Sequence, residues 1–199
     1  MILNFLNKIL FTIVAVVDTG IKPVSNMRYC NYGHKSFAYS SPFIDRQNHG
    51  TTIGRIISRF PKRCVISIKV SDKRTYKMPA LIKALKYVLK LKPKPHCVNL
   101  SYGGLNPYPE EKALILKMLD KGYKVVAAAG NFSMNLSKQC NYYPACYDKR
   151  IIVVGSKASF SNYGAPVDYV VPAPIATSFA VPFICANIRN LEVLKKWQN

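Results

Sequence analysis

Six runs of apolar, mostly β-branched residues recur along the chain, and few polar positions interrupt them. The runs cover Phe11–Val17, Cys64–Val70, Cys97–Leu100, Val125–Ala129, Ile151–Val154 and Val167–Val171. Apolar runs without strict alternation are typical of strands that are buried on both faces of a parallel sheet. The pattern therefore predicts that these six segments are the central strands of the fold.

Helical patterns lie between the strand-like runs. After His49 the apolar residues fall on one face of a helix, at Ile53, Ile56, Ile57 and Phe60. Three further helices are predicted at Pro79–Leu91, from Pro109 to just before Gly122, and from Ser178 towards Trp197. This alternation predicts an α/β fold, a three-layer α/β/α arrangement with a mostly parallel central sheet. The length of 199 residues fits a single domain that spans residues 1–199.

The apolar run Ile9–Val17 near the amino terminus lacks the features of a secretory signal. A secretory signal begins with a basic region, but Lys8 is the one basic residue before this run, and no small-residue cleavage site follows it. The run is also too short to cross a bilayer. We therefore predict that it forms a buried strand, that the chain has no membrane partner, and that the protein is cytoplasmic.

The chain is strongly basic, with 29 Lys and Arg against 9 Asp and Glu and a formal net charge of +20. Such an excess favours anionic partners, nucleic acid among them. No reader helix, RNA-stacking motif or basic tail accompanies the charge, which argues against nucleic acid as the main partner. Many of the cations fall on predicted outer faces, at Lys83, Lys86, Lys90, Lys92, Lys94, Lys195 and Lys196. We expect at most a bias towards acidic substrates or surfaces.

The six cysteines show neither a C-x-x-C pair nor zinc-finger spacing. Cys64, Cys97 and Cys185 lie in apolar stretches, where a free thiol usually behaves as a small buried hydrophobe. Cys140 and Cys146 are close enough in sequence to bridge across a loop, which is an open alternative. Without a secretory signal, we predict reduced thiols.

Four polar side chains follow predicted strands or begin predicted helices. Asp18 ends the first strand before a Thr-Gly turn, and His49 opens the first helix. Asn131 follows the strand Val125–Ala129 in a Gly-Asn turn, and Ser178 opens the last helix. In parallel α/β sheets, functional residues gather outside the carboxyl ends of the strands. We therefore expect these four side chains to converge on one face of the molecule.

The order Asp, His, Ser is that of subtilisin, and the chain resembles the subtilisin-like serine proteases (subtilases, peptidase S8 family). The matching segments, in family order, are VAVVDTGI (14–21), HGTTIGRII (49–57), VNLSYGG (98–104), AAAGN (127–131), YPACYDKRIIVVGS (143–156), SFSNYG (159–164) and ATSFAVP (176–182). They extend over most of the chain, which would be a shortened member of the family.

The resemblance implies a serine endopeptidase with a catalytic triad. Ser178 would be the nucleophile, His49 the general base, and Asp18 the residue that orients the imidazole and stabilises its protonated form. The Asn131 side-chain amide and the Ser178 backbone N–H would form the oxyanion hole. Asp45, four residues before His49, is set aside because it lies in a polar loop. Asp168 lacks the context of a Thr-Gly turn, and His34 and His96 open no helix.

The family analogy also implies where a polypeptide substrate would bind. The segment Leu100, Ser101, Tyr102 and Gly103 would pair with the substrate backbone as an added strand. Ala129 and Gly130, with Asn131, would wall the pocket for the residue before the cut. Tyr142 falls at the base of that pocket, where it would make the pocket shallow and favour small residues. The alternative is that Tyr142 points to solvent.

The chain departs from the family pattern at several positions. Ala176 stands where the family has glycine, Arg55 stands where a small glycine is usual, and the stretch Pro172–Ala176 is short. No propeptide is recognisable, and the elements that usually bind calcium are missing, so we expect no metal and no cofactor. The alternative to an active protease is a catalytically impaired scaffold that binds or regulates partners. Retention of Asp18, His49, Asn131 and Ser178 favours the protease.

Overall fold

The computed structural model describes residues 11–192 and Leu194 and contains a seven-stranded sheet flanked by four helices. The strands are β1 (Thr12–Asp18), β2 (Lys35–Ser36), β3 (Arg63–Lys69), β4 (Cys97–Leu100), β5 (Val125–Ala128), β6 (Ile152–Ser156) and β7 (Tyr169–Val171). The helices are α1 (His49–Ser58), α2 (Met78–Val88), α3 (Pro109–Asp120) and α4 (Thr177–Ala186). The spatial strand order is β2-β3-β1-β4-β5-β6-β7, and all six neighbouring pairs are parallel.

The sheet separates two hydrophobic layers, as its period-two side-chain pattern requires. Along β1, Ala15 and Val17 pack into the layer that contains α2 and α3, whereas Val14 and Val16 pack into the layer with α1 and α4. Because both faces of β1 are covered, its apolar residues are continuous in sequence. The predicted three-layer α/β/α fold with a parallel sheet is confirmed.

The largest differences between the predicted and observed elements are at β2 and at the end of α4; α2 also ends three residues earlier than predicted, and β7 begins two residues later. The two-residue strand β2 was not predicted, because Lys35 and Ser36 carry no apolar pattern. Helix α4 was predicted to continue towards Trp197, but it ends at Ala186, and Trp197 lies outside the described residues. No helix in residues 11–192 is long and apolar enough to cross a membrane.

The six cysteines form three disulfides, so the prediction of reduced thiols is wrong. Cys30 pairs with Cys64, Cys97 with Cys185, and Cys140 with Cys146. The first two bonds join residues 34 and 88 positions apart, which only the folded topology brings together. Because disulfides persist in oxidising compartments, the cysteines no longer support the cytoplasmic location, which stays a prediction.

The outward lysines lie where the sequence pattern placed them. Lys83 and Lys86 of α2 are exposed, as are the following Lys90, Lys92 and Lys94. Lys195 and Lys196 lie outside the described residues. None of these five exposed lysines lines the cavity described below.

Candidate active site

Asp18 and His49 form a hydrogen-bonded pair at the carboxyl edge of the sheet. Asp18 is the last residue of β1, and His49 is the first residue of α1. His49 Nδ1 lies 2.8 Å from Asp18 Oδ1 and 3.0 Å from Oδ2. The Asp18 side chain is 4% exposed, whereas the His49 side chain is 32% exposed. The carboxylate is therefore fixed in the interior, and the imidazole reaches the surface.

The turn after β1 holds the carboxylate in place. The Thr19 backbone N–H donates to Asp18 Oδ1 at 2.7 Å, and the Thr19 hydroxyl oxygen lies 3.1 Å from the same carboxylate oxygen. The start of α1 presses closely on this turn, since a Cβ atom on Gly50 would lie 2.2 Å from the Gly20 carbonyl oxygen. Only glycine fits at position 50 while the imidazole stays within reach of Asp18.

A second buried carboxylate, Asp45, supports the same corner. Its Oδ2 accepts hydrogen bonds from the Thr51 N–H at 2.8 Å and the Thr51 hydroxyl at 2.7 Å, and its Oδ1 accepts one from Thr19 Oγ1 at 2.8 Å. Asp45 lies in a loop, as predicted, but its side chain is buried (5% exposed) because it accepts an N–H in the first turn of α1. Asp18, not Asp45, contacts the imidazole.

Lys69 is a buried cation that sequence reasoning missed. It ends β3 directly beside Asp18 in the sheet and has no exposed surface. Its Nζ donates to the carbonyls of Thr19 and Ile44, both at 2.6 Å, and lies 3.1 Å from Asp72 Oδ1. The available signal was a lysine inside the apolar run Cys64–Val70. Lys69 thus ties the turn after β1 to two neighbouring loops.

The surroundings of His49 raise its pKa above the ordinary value of 6.5. Burial disfavours the charged imidazole, but the hydrogen bond and the negative charge of Asp18 outweigh burial, with a further contribution from the charge of Asp45. The protonated form is therefore favoured to a higher pH than in a free histidine.

This electrostatic account makes a prediction for Asp45→Asn. Removal of one negative charge lowers the His49 pKa, so the midpoint of the imidazole NMR titration, above 6.5 in the native chain, shifts to lower pH. Asp168→Asn is the matched control, because the Asp168 carboxylate binds the Val153 N–H on another strand. A native midpoint below 6.5, or an upward shift in Asp45→Asn, would contradict the account.

Ser178 is the second residue of α4 and is half-buried. Four residues later Pro182 lies inside the helix and has no N–H to donate to the Ser178 carbonyl. The Ser101 hydroxyl donates to that carbonyl instead, at 2.7 Å. This hydrogen bond gives the Ser178 carbonyl the partner that Pro182 cannot supply. It also holds the backbone of Ser178 against the segment that follows β4.

Asn131 is exposed, and its side chain is oriented by Thr177. The Thr177 N–H donates to Asn131 Oδ1 at 3.0 Å, and the Thr177 hydroxyl lies 3.1 Å from the same oxygen. Since Oδ1 is occupied, the Nδ2 group is the end of the amide that remains available as a donor. Thr177 is itself fully buried, so this orientation has a rigid support.

A cavity of about 510 Å³ brings the catalytic candidates together. Its walls include Asp18, His49 and Ser178, together with Phe179, whose ring centroid lies 5.2 Å from that of His49. The predicted substrate-binding residues Ser101, Tyr102, Gly103 and Tyr142 also line it. Leu100 and Ala129 are not among the lining residues, because the side chains of both are fully buried in the hydrophobic core. Their predicted contact with a substrate could therefore involve only their backbone atoms.

Tyr142 fills the space between two glycines rather than pointing to solvent. Its side chain is buried, and a Cβ atom on Gly103 would lie 2.5 Å from its Cε1. On the other side, a Cβ on Gly130 would lie 2.8 Å from its Cζ. The ring therefore lies against both glycines, and the alternative that Tyr142 points to solvent is wrong.

Tyr102, which lines the cavity, is hydrogen-bonded to a buried acid, Glu111, that the sequence analysis did not single out. Its hydroxyl donates to Glu111 Oε1 at 3.0 Å, and the Tyr147 hydroxyl donates to Oε2 at 2.8 Å. Burial raises the pKa of Glu111, although the two tyrosine hydrogen bonds act in the opposite direction. An acid on the inner face of α3 was the sequence signal for this support.

The two side-chain departures from the family pattern are accommodated. Ala176 adopts φ −59° and ψ 140°, a conformation that any L-residue takes without strain. Arg55 is exposed on α1, so its guanidinium reaches water. His34 and His96 have structural roles, since their Nδ1 atoms accept the backbone N–H groups of Ser67 and Ile13, each at 3.0 Å. Within the described chain, no cluster of three or more His, Cys, Asp or Glu side chains could hold a metal ion.

Comparisons with known proteins agree with this site and fold. A subtilisin of Bacillus pumilus is 28% identical over 180 residues, which cover 80% of this chain and 63% of the relative. Subtilisin E of Bacillus subtilis (strain 168) is also 28% identical over 180 residues, covering 80% of this chain and 46% of that protein. The chain therefore spans less than two thirds of the length of either relative.

Solved structures share the fold at lower identity. A cold-adapted subtilisin-like serine proteinase matches with a TM-score of 0.71 at 21% identity, and the match covers 92% of this chain and 76% of the proteinase chain. The nisin leader peptidase NisP from Lactococcus lactis has a TM-score of 0.74 at 18% identity, over 89% of this chain and 76% of its own. The model of the subtilase family, Peptidase S8, matches residues 12–188, from the first residue of β1 to just beyond α4. With its parallel sheet and with Asp18, His49 and Ser178 around one cavity, the chain belongs to the subtilase family.

Proposed function

We propose that this chain is a serine endopeptidase that cleaves polypeptides through Asp18, His49 and Ser178. The observation that carries the proposal is the Asp18–His49 hydrogen bond in the cavity that Ser178 also lines. A buried carboxylate that orients an imidazole is the arrangement that lets the imidazole take the proton of a serine hydroxyl in the same site.

The proposed reaction has two halves. Ser178 Oγ attacks the scissile carbonyl while His49 Nε2 takes the hydroxyl proton, and Asp18 stabilises the imidazolium through Nδ1. His49 then gives the proton to the leaving amine, and an acyl ester on Ser178 remains. A water molecule, deprotonated by His49, attacks the ester and returns Ser178 to its starting form. The ring of Phe179 beside His49 limits the positions that the imidazole can take.

The negative oxygen that develops on the substrate would bind two donors. One is Asn131 Nδ2, which is free because Thr177 occupies the other end of the amide. The other is the Ser178 backbone N–H, one of the first-turn amides of α4 that lack an intrahelical partner. Both donors are fixed before substrate arrives, which is the requirement for effective electrostatic stabilisation.

The substrate would lie extended along Ser101, Tyr102 and Gly103, with its backbone paired as an added strand. Support for this position comes from the cavity, which these three residues line. Leu100 and Ala129 would contribute through the backbone alone, since their side chains are in the core.

Tyr142 is expected to make the enzyme prefer small residues immediately before the cut. Tyr142→Ala should deepen the pocket. The ratio of kcat/KM for a peptide with phenylalanine immediately before the cut to kcat/KM for the same peptide with alanine there should then rise by about 10-fold or more, which is the discrimination expected of a hydrophobic pocket. Tyr163→Ala, at an exposed tyrosine outside the cavity, is the control. The assignment fails if native protein already prefers phenylalanine.

Hydrolysis of an internally quenched peptide separates the protease from the scaffold alternative. We expect cleavage by the native chain and a loss of about 10⁴-fold or more in kcat for His49→Ala, because the general base is removed. A folded native chain that binds the peptide without cleaving it would support the impaired scaffold instead.

A further inference from the structure

Two cations, Lys73 and Arg74, line the cavity together with Tyr142. Lys73 and Arg74 belong to the loop between β3 and α2, and both side chains are exposed. Of the described residues that line the cavity, Asp18 is the only one with a carboxylate, and it is bonded to His49 and Thr19. The cleft therefore presents positive charge that its own acid does not neutralise.

The loop that carries the two cations is held in one shape. The Ser71 hydroxyl donates to the Thr75 carbonyl at 2.5 Å and accepts the Lys73 N–H at 3.0 Å. Gln47 Nε2 donates to the Asp72 carbonyl at 3.1 Å, which connects the loop to the residues just before His49. Because the backbone of the loop is held on both sides, the positions from which the Lys73 and Arg74 side chains extend are fixed, and a ligand would need to order only the two side chains.

The adjacent acid, Asp72, is directed elsewhere. Its carboxylate lies 3.1 Å from Lys69 Nζ and accepts hydrogen bonds from the Ser40 hydroxyl and from the Tyr39 and Ser40 N–H groups. No carboxylate in the described part of the chain lies within ion-pair distance of Lys73 or Arg74.

The loop that carries the two cations packs against the segment that would pair with the substrate residues before the cut. The ring of Tyr76, in the same loop, contacts the ring of Tyr102 at a centroid distance of 4.9 Å. Gly103 adjoins Tyr142 and the pocket for the residue before the cut, and Tyr102 is one step further along the edge. A chain paired with this edge would pass the Tyr102–Tyr76 contact and bring its preceding side chains to the loop.

We propose that Lys73 and Arg74 form a subsite for an acidic side chain two to four residues before the scissile bond. The proposal rests on the proposed function, and it narrows the substrate class to polypeptides with Asp or Glu on the amino-terminal side of the cut. Two exposed cations would bind such a group by charge-assisted hydrogen bonds, with a strength that salt reduces.

A binding measurement tests the subsite separately from catalysis. Full-length Ser178→Ala protein is titrated at low ionic strength with two fluorescent peptides, which carry Glu or Gln at these positions and are otherwise identical. We expect the Glu peptide to bind about 5- to 10-fold tighter, as for two partly exposed ion pairs. Adding Lys73→Gln and Arg74→Gln should bring the ratio close to one, as should high salt.

The matched control adds Lys121→Gln and Lys124→Gln, which remove the same charge. Both lysines are exposed and lie just before β5, at the amino ends of the parallel strands. Their substitution should leave the ratio of the two affinities unchanged. A ratio near one in the parent, or an equal loss in both double variants, would overturn the subsite. Cleavage of the Gln peptide by the native chain is scored separately, so its absence counts against the protease and not against the subsite. Thermal unfolding checks that each variant is folded.

Discussion

Replacing Asp18 with asparagine should lower kcat for the proposed peptide hydrolysis by about 10⁴-fold while leaving the fold intact. Both carboxylate oxygens lie within 3.0 Å of His49 Nδ1, so the native pair requires a proton on Nδ1 and leaves Nε2 free to accept one. An asparagine amide can donate to Nδ1, which favours the tautomer with its proton on Nε2. In that tautomer the imidazole cannot take the Ser178 proton.

The control for Asp18→Asn is Asp168→Asn. Asp168 is the rival acid whose Oδ2 accepts the Val153 N–H at 2.8 Å, and an asparagine oxygen can accept the same bond. We expect Asp168→Asn to change kcat less than 10-fold, the range expected away from the reacting groups. If Asp18→Asn retained activity within that range, Asp18 would not be the residue that orients His49.

Removing the Cys97–Cys185 disulfide should have the largest effect on stability. This bond connects β4 in the middle of the sheet to α4, the helix that carries Ser178, and both cysteines are fully buried. Its 88-residue separation means that the bond restricts the unfolded chain strongly. We expect the double alanine variant to lose about 4–5 kcal/mol of unfolding free energy in urea titrations.

The Cys140–Cys146 pair is the internal comparison. It spans only six residues, so the same loop-closure reasoning gives a loss of about 2 kcal/mol for its double alanine variant. The difference between the two variants is more informative than either value, since the chemistry removed is the same. Equal losses, or a larger loss for Cys140–Cys146, would show that loop length does not govern the contribution of these bonds.

Local sequence patterns were sufficient to predict the central sheet and to place the candidate residues at the ends of its strands. Val14 and Val16 alternate with Ala15 and Val17 between two covered faces, so the run is apolar throughout and directly indicates a parallel strand. Asp18 is the last residue of that strand. The carboxyl ends of parallel strands share one edge, which explains why residues distant in sequence meet there.

Features that depend on long-range topology could not be predicted in the same way. Cys97 and Cys185 both look like ordinary core residues in sequence, and only the packing of α4 over β4 brings their sulfur atoms together. Asp45 lies among polar neighbours, yet it is buried because α1 begins beside it and needs an acceptor for the Thr51 N–H. Lys69 is buried because three oxygen partners surround its ammonium group.

Tyr142 lies between these two cases. The resemblance to the subtilases predicted its place at the base of the pocket, whereas its orientation depended on two glycines from different loops, Gly103 and Gly130. Neither glycine is near Tyr142 in sequence. The orientation of the ring was therefore settled only by the folded structure.

The central claim, that Ser178 is an activated nucleophile, is tested most directly by covalent labelling with a serine-directed fluorophosphonate. The native chain should be labelled at Ser178, and labelling should disappear in Ser178→Ala, which leaves Asp18 and His49 in place. His49→Ala should slow labelling strongly, because the serine proton then has no acceptor. Equal labelling of native and Ser178→Ala protein, or no labelling of a folded native chain, would contradict the claim.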